Sequence, residues 1–124
     1  MLFIKNNRKN AYLYATETAK STLMYILNTS FMVEYDVHER WLDTFRNRFL
    51  PFLRESGFAE PVFTKVISND NEGHFTYSLQ VPMADLSRYD EFNRDILSEY
   101  AATYRPVFGE KVLWFSSLLK KIDG

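Results

Sequence analysis

Cysteine is absent from all 124 residues. Disulfide scaffolds, cysteine-ligated zinc, iron–sulfur clusters and thiol catalysis are therefore excluded. The two histidines, His38 and His74, are too few for a three-histidine zinc site, and neither a metal nor a cofactor is expected. Glycine and proline number four each, which excludes collagen-like and low-complexity classes. No Gly-x-Ser-x-Gly elbow frames a serine, and no Gly-x-Gly-x-x-Gly or Walker A pattern occurs. No apolar run reaches the ~18 residues of a membrane-spanning helix. Lys5, Arg8 and Lys9 mimic the start of a signal peptide, but Asn10, Thr16, Glu17 and Thr18 interrupt any apolar region behind them. The expectation is an intracellular, cytoplasmic protein. No charge of one sign dominates either. Fifteen basic residues face sixteen acidic ones, which argues against nucleic acid or an anionic membrane as the main partner.

What is abundant is apolar surface. Hydrophobic residues make up 46% and aromatics 17%, with eleven Phe, eight Tyr and two Trp, too many for a disordered chain. The length suits one domain, because two would each be too small to bury a comfortable core. Residues 1–23 differ from the rest. Lys5, Arg8, Lys9 and Lys20 face the single acid Glu17, and no long periodic pattern is present. This segment reads as a basic extension, either an arm or the product of an upstream start codon. Residues 24–124 read as one domain.

From Met24 to Tyr35 the chain alternates, with Leu27, Phe31 and Val33 on one face and Asn28, Ser30 and Met32 on the other. That period of two predicts a strand. Asp36 followed by Glu39 resembles a capping box and predicts a helix to about Ser56. Its stripe is Trp41, Phe45, Phe49 and Leu53. Pro51 is expected to bend or shorten the last turn and Gly57 to stop it. A second strand is expected at 61–68, a turn at 69–73 and a third strand from His74 to Val81. Asp85 should cap a second helix, carrying Leu86, Tyr89, Phe92, Ile96, Tyr100 and Tyr104, with Pro106 and Gly109 ending it. A last strand should span Lys111 to Ile122.

The predicted class is α+β, in the ferredoxin-like order βαββαβ. Two helices cover one face of a four-stranded antiparallel sheet. The uncovered face mixes Asn28, Ser30, Thr76, Ser78 and Gln80 with Met32 and apolar residues of the outer strands. A half-apolar free face predicts a homodimer stacked through its sheets, enclosing a barrel-like space.

Several short segments, in order and correctly spaced, resemble a known family. They are Met24-Tyr25-Ile26-Leu27-Asn28-Thr29-Ser30, Asp36-Val37-His38-Glu39 leading into Trp41-Leu42, Leu50-Pro51 and Ser56-Gly57-Phe58. Thr76-Tyr77-Ser78-Leu79-Gln80, Phe108-Gly109-Glu110-Lys111-Val112 and Phe115 before Leu118-Leu119 complete the set. On these the chain resembles domain of unknown function 4286, a family of small bacterial proteins, over residues 24–123. The resemblance implies the ferredoxin-like fold and dimerisation of the α/β-barrel type; it carries no catalytic residue. The chain departs from the family pattern at Phe49, where a histidine is common, at Ser116 and Ser117, where an Arg-Thr pair is common, and at Leu27, where tyrosine is usual.

Asn28 is disfavoured in a strand, which points to a hydrogen-bonding task. With Ser30, Thr76, Ser78, Gln80 and Trp114 it forms the candidate ligand-binding set. His38 is expected to be a surface residue of the first helical turn, and His74 part of a turn with Asp70 and Glu72. Arg46, Arg48 and Arg54 should form a solvated helix face. Two function classes follow. The first is a homodimeric, non-catalytic interaction or small-molecule-binding module. The second is an enzyme of the dimeric α/β-barrel kind, monooxygenase- or isomerase-like, acting on a small, mostly apolar substrate. The shortage of ionisable groups on the inner face favours the first, because acid–base work needs a proton carrier.

Overall fold

The computed structural model describes residues 25–58, 60–67 and 73–122. The basic segment 1–23 and most of the turn expected at 69–73 lie outside the described residues. Four strands form one antiparallel sheet: β1 (Tyr25–Glu34), β2 (Val62–Lys65), β3 (His74–Met83) and β4 (Val112–Lys120). Their order across the sheet is β2-β3-β1-β4, the ferredoxin-like arrangement expected from the sequence. The register sets Asn28 opposite Gln80 on one side and opposite Ser117 on the other. β2 is shorter than its apolar run suggested.

Helix α1 covers residues 38–55 in three consecutive segments, His38–Thr44, a wider π-helical stretch Phe45–Phe49, and Leu50–Glu55. Pro51 does not shorten it. Proline lacks an N–H and its ring crowds the carbonyl four residues earlier. The wider turn stands immediately upstream, where Leu50 N–H donates to Phe45 O. Gly57, at φ +91°, ends α1 in the left-handed conformation that a side chain would resist, and Arg88 Nη2 donates to its carbonyl at 2.9 Å. Helix α2 covers 86–108, again through three segments, Leu86–Glu91, the π-helical Phe92–Leu97 and Ser98–Phe108. Pro106 lies inside it, so Gly109 alone, at φ +58°, marks the stop. No helix among the described residues is long and apolar enough to cross a membrane.

The two caps behave differently. Asp85 Oδ1 accepts from Ser87 N at 2.9 Å and from Arg88 N at 3.3 Å, so the cap of α2 forms as expected. The capping box of α1 does not. Asp36 sits in a 3-10 turn, Tyr35–Val37, and its carboxylate pairs with Lys111 ahead of β4. That partner lowers the Asp36 pKa, opposed by desolvation. A tertiary charge partner has taken the carboxylate that local geometry would have used for the cap.

The core lies between the sheet and the helices. Trp41, Phe45, Phe49 and Leu53 of α1 are buried, as are Phe92, Ile96, Tyr100 and Tyr104 of α2, whereas Leu86 is half-exposed. They meet Leu27, Phe31 and Val33 of β1 and Tyr77, Leu79 and Val81 of β3. Phe31 stands at the centre, with ring centroids 5.4 Å from Trp41, 5.1 Å from Phe45 and 5.3 Å from Tyr100. Above it Trp41 Nε1 donates to the Tyr100 hydroxyl at 3.0 Å, satisfying a buried indole.

Replacing Tyr100 by Phe should leave that indole without a partner and cost about 1–3 kcal/mol. Tyr104→Phe loses one exposed-side donor to the Thr44 carbonyl and should cost less. Urea denaturation of both variants checks the order. Equal stabilities for Tyr100→Phe and the parent would show that the bond holds nothing.

Candidate functional site

The uncovered sheet face carries Asn28, Ser30, Thr76, Ser78 and Gln80 together, as the alternation on β1 and β3 requires. Ser78 Oγ donates to Asn28 Oδ1 at 2.7 Å, across the diagonal of the pair. Asn28, Ser30, Thr76 and Ser78 are half-buried and Gln80 is exposed. None of the five is ionisable. Beside them on the edge strand β4, Leu113, Phe115 and Leu119 face the same way at 53%, 54% and 44% exposure. Val62, at the opposite edge, is 50% exposed. A polar centre is thus bordered by apolar side chains that nothing among the described residues covers.

Trp114 does not join that centre. It pairs with Phe31, so it points to the helix-covered face, where its ring stands edge-on to Tyr100 at 5.4 Å. β4 is apolar at both parities, so its pattern alone does not say which set meets the helices; register decides. The same face holds Thr29, a buried hydroxyl whose partner is Ser116 Oγ at 2.8 Å.

Two further features escaped the sequence. The first is at the start of α1. His38 is half-buried, stacks on Tyr77, packs against Phe75 at 4.4 Å and shares a 2.5 Å hydrogen bond between Nε2 and the Tyr77 hydroxyl. Burial lowers the His38 pKa, nearby Lys65 lowers it further, and Glu39 opposes both. Burial raises the Tyr77 pKa, so that hydroxyl stays protonated. His74 opens β3 on the uncovered face, opposite Glu34; Asp70 and Glu72 lie outside the described residues. Among the described residues no three His, Asp or Glu side chains gather as a metal site would require.

The second feature is a cleft of about 480 Å³ on the outer side of the helical layer, between α1 and α2. Arg40, Thr44, Arg48 and Phe52 form one wall, at helical spacing of four. Glu99, Thr103 and Val107 form the other, and Phe49, Tyr100, Tyr104 and Phe108 supply an aromatic floor. Arg48 therefore borders a concavity, where the sequence suggested only a solvated face. The spacing within each wall is legible in the sequence; the meeting of the walls is not.

A family model described as Domain of unknown function (DUF4286) matches residues 24–122. No curated protein sequence matches the chain. Among solved structures, a dimeric ferredoxin-like protein from an uncultured marine organism is similar, with a TM-score of 0.60 and 12% identity, over 82% of this chain and 97% of that one. A de novo designed protein is also similar, with a TM-score of 0.53 and 15% identity, over 80% of this chain and 99% of that one. At these identities the likeness is one of fold.

The lowered His38 pKa predicts how stability responds to acid. Above its ordinary value of 6.5 the imidazole is neutral, folded or unfolded. As pH falls through that value the unfolded chain binds the proton first, so stability declines until the lower folded value has been passed. His38→Gln should remove this slope. Urea midpoints at about pH 7.5 and about pH 5 test it; identical losses in parent and variant would assign the acid sensitivity elsewhere.

Proposed function

The chain belongs to the DUF4286 family, and we propose that it works as one subunit of a homodimer that binds a small molecule between its sheets without transforming it. The observation that carries this reading is the uncovered sheet face, with its polar centre of Asn28, Ser30, Thr76, Ser78 and Gln80 and its exposed apolar border of Leu113, Phe115 and Leu119. Large apolar side chains exposed together on one face favour association. Two copies related by a twofold axis would present the same border to each other, closing the polar centres into a shared space. The dimeric state of the structurally similar marine protein is consistent with this arrangement. Amide and hydroxyl groups can orient a ligand by hydrogen bonds but cannot themselves carry a proton through a reaction cycle.

The enzyme reading has one specific observation in its favour, the His38–Tyr77 pair. Tyr77 lies on the helix-covered side of β3, so that pair stands across the sheet from the polar centre. The ionisable side chains on the same face as the centre, His74 and Glu34, stand at its end, beyond Thr76 and Met32.

Native mass spectrometry and light scattering test the proposal. The parent chain should be a dimer, and Phe115→Glu, which places a charge in the apolar border, should shift it to monomer while keeping the monomer folded. Extra mass on the parent dimer, lost in Asn28→Ala without a fall in thermal midpoint, would identify the bound molecule. A parent chain that is monomeric at high concentration would overturn the reading.

A further inference from the structure

We propose that the cleft between α1 and α2 is a second binding site, for a small carboxylate with a flat apolar body. The site is separate from the sheet face and does not rest on dimerisation. Its volume of about 480 Å³ falls within the range that small ligands occupy. Its floor is aromatic, which suits a planar ring or a short hydrocarbon.

The polar groups of the cleft decide the charge of the ligand. The Tyr104 hydroxyl donates to Thr44 O at 3.1 Å. Thr44 Oγ1 donates back to Trp41 O at 3.0 Å, and Thr103 Oγ1 donates to Glu99 Oε2 at 3.2 Å. Those hydroxyl donors are already used. The guanidiniums of Arg40 and Arg48 have no ion-pair partner among the described residues, so the cleft offers a ligand two cationic donors. Guanidinium presents a planar fork that matches a carboxylate.

The two ends of the cleft are not equivalent. α1 and α2 run antiparallel here: Arg40 lies over the Phe108 ring at 5.7 Å, Tyr104 meets Thr44, and Glu99 falls toward Arg48. Glu99 is the one acid among the lining residues, against two arginines, so the lining carries a net positive charge. Arg40 stands at the end of the cleft away from Glu99, where no acid is among the lining residues. The carboxylate belongs there, with the apolar body extending over the Tyr104 ring toward Glu99.

Chemical-shift titration of the full, ¹⁵N-labelled chain with 2-naphthoate tests this, with 2-naphthylmethanol as the uncharged comparison. Saturable shifts should be confined to the residues lining the cleft. The alcohol should bind at least tenfold more weakly than the acid. Arg40→Gln should weaken naphthoate at least tenfold, and Glu99→Gln should tighten it. Thr103→Trp, on an exposed ridge, should fill the cleft and abolish binding while the thermal midpoint holds. The proposal is overturned if the acid and alcohol bind alike, if Arg40→Gln leaves affinity unchanged, or if no saturable shifts arise in the cleft. Shifts confined to Asn28, Ser78 and their neighbours would also overturn it and would favour the sheet face instead.

Discussion

The hydrogen bond from Trp41 to Tyr100 is the constraint around which the helical layer is arranged. It joins α1 to α2 directly above Phe31 of the central strand. Two polar atoms inside an aromatic core must find each other, because neither has water as an alternative. That requirement sets how α1 and α2 lie relative to each other. Tyr104 repeats the arrangement one turn later by reaching Thr44 O, and the two contacts together fix the antiparallel pairing. Burial raises the pKa of both tyrosines, so they stay neutral and the linkage does not titrate in the physiological range. The walls of the outer cleft inherit their spacing from this pairing.

The two faces of the sheet have followed opposite routes to stability. Beneath the helices, aromatic rings interlock, and the buried polar exception, Thr29, is matched by Ser116. On the other face Asn28 and Ser78 satisfy each other, while Leu113, Phe115 and Leu119 remain in solvent. A lone subunit gains little from those apolar side chains, and the proposed dimer contact rests on them. The His38 cluster lies at the margin of the helix-covered face. It closes one end of the sandwich, where the hydroxyl end of the buried Tyr77 meets the start of α1.

Much of the fold was legible because each element announced its own period. Strands β1 and β3 alternate strictly, so their period alone puts Asn28, Ser30, Thr76, Ser78 and Gln80 on one face. The helix stripes were equally plain from Trp41 to Leu53 and from Phe92 to Tyr104. Sequence reasoning failed where a residue's partner is distant in the chain. Asp36 looked like a cap, yet Lys111 lies 75 residues away and claims its carboxylate. His38 looked like a surface residue, yet Tyr77 and Phe75 arrive from β3 to cover it. Trp114 could not be assigned from β4, whose apolar residues occupy both parities, and only pairing with Phe31 puts it under the helices. The cleft needed the antiparallel register of two helices more than 50 positions apart, which no local pattern encodes.

Because β1 occupies the middle of the sheet, the order of synthesis and the order of assembly are opposed. β1 is the first of the four strands to be made, and its two neighbours are the third and the last. Thr29 must wait for Ser116, 87 residues later. Chain growth at about 5–20 residues per second leaves that edge open for several seconds. Through that interval Leu27, Phe31 and Val33 have no sheet to complete, and such long-range pairing is slow to form once the chain is whole. A nascent chain of this kind exposes apolar surface until its final strand emerges. A truncation that removes β4 would leave the central strand permanently bare along one edge, and the expected product is aggregate rather than a smaller fold.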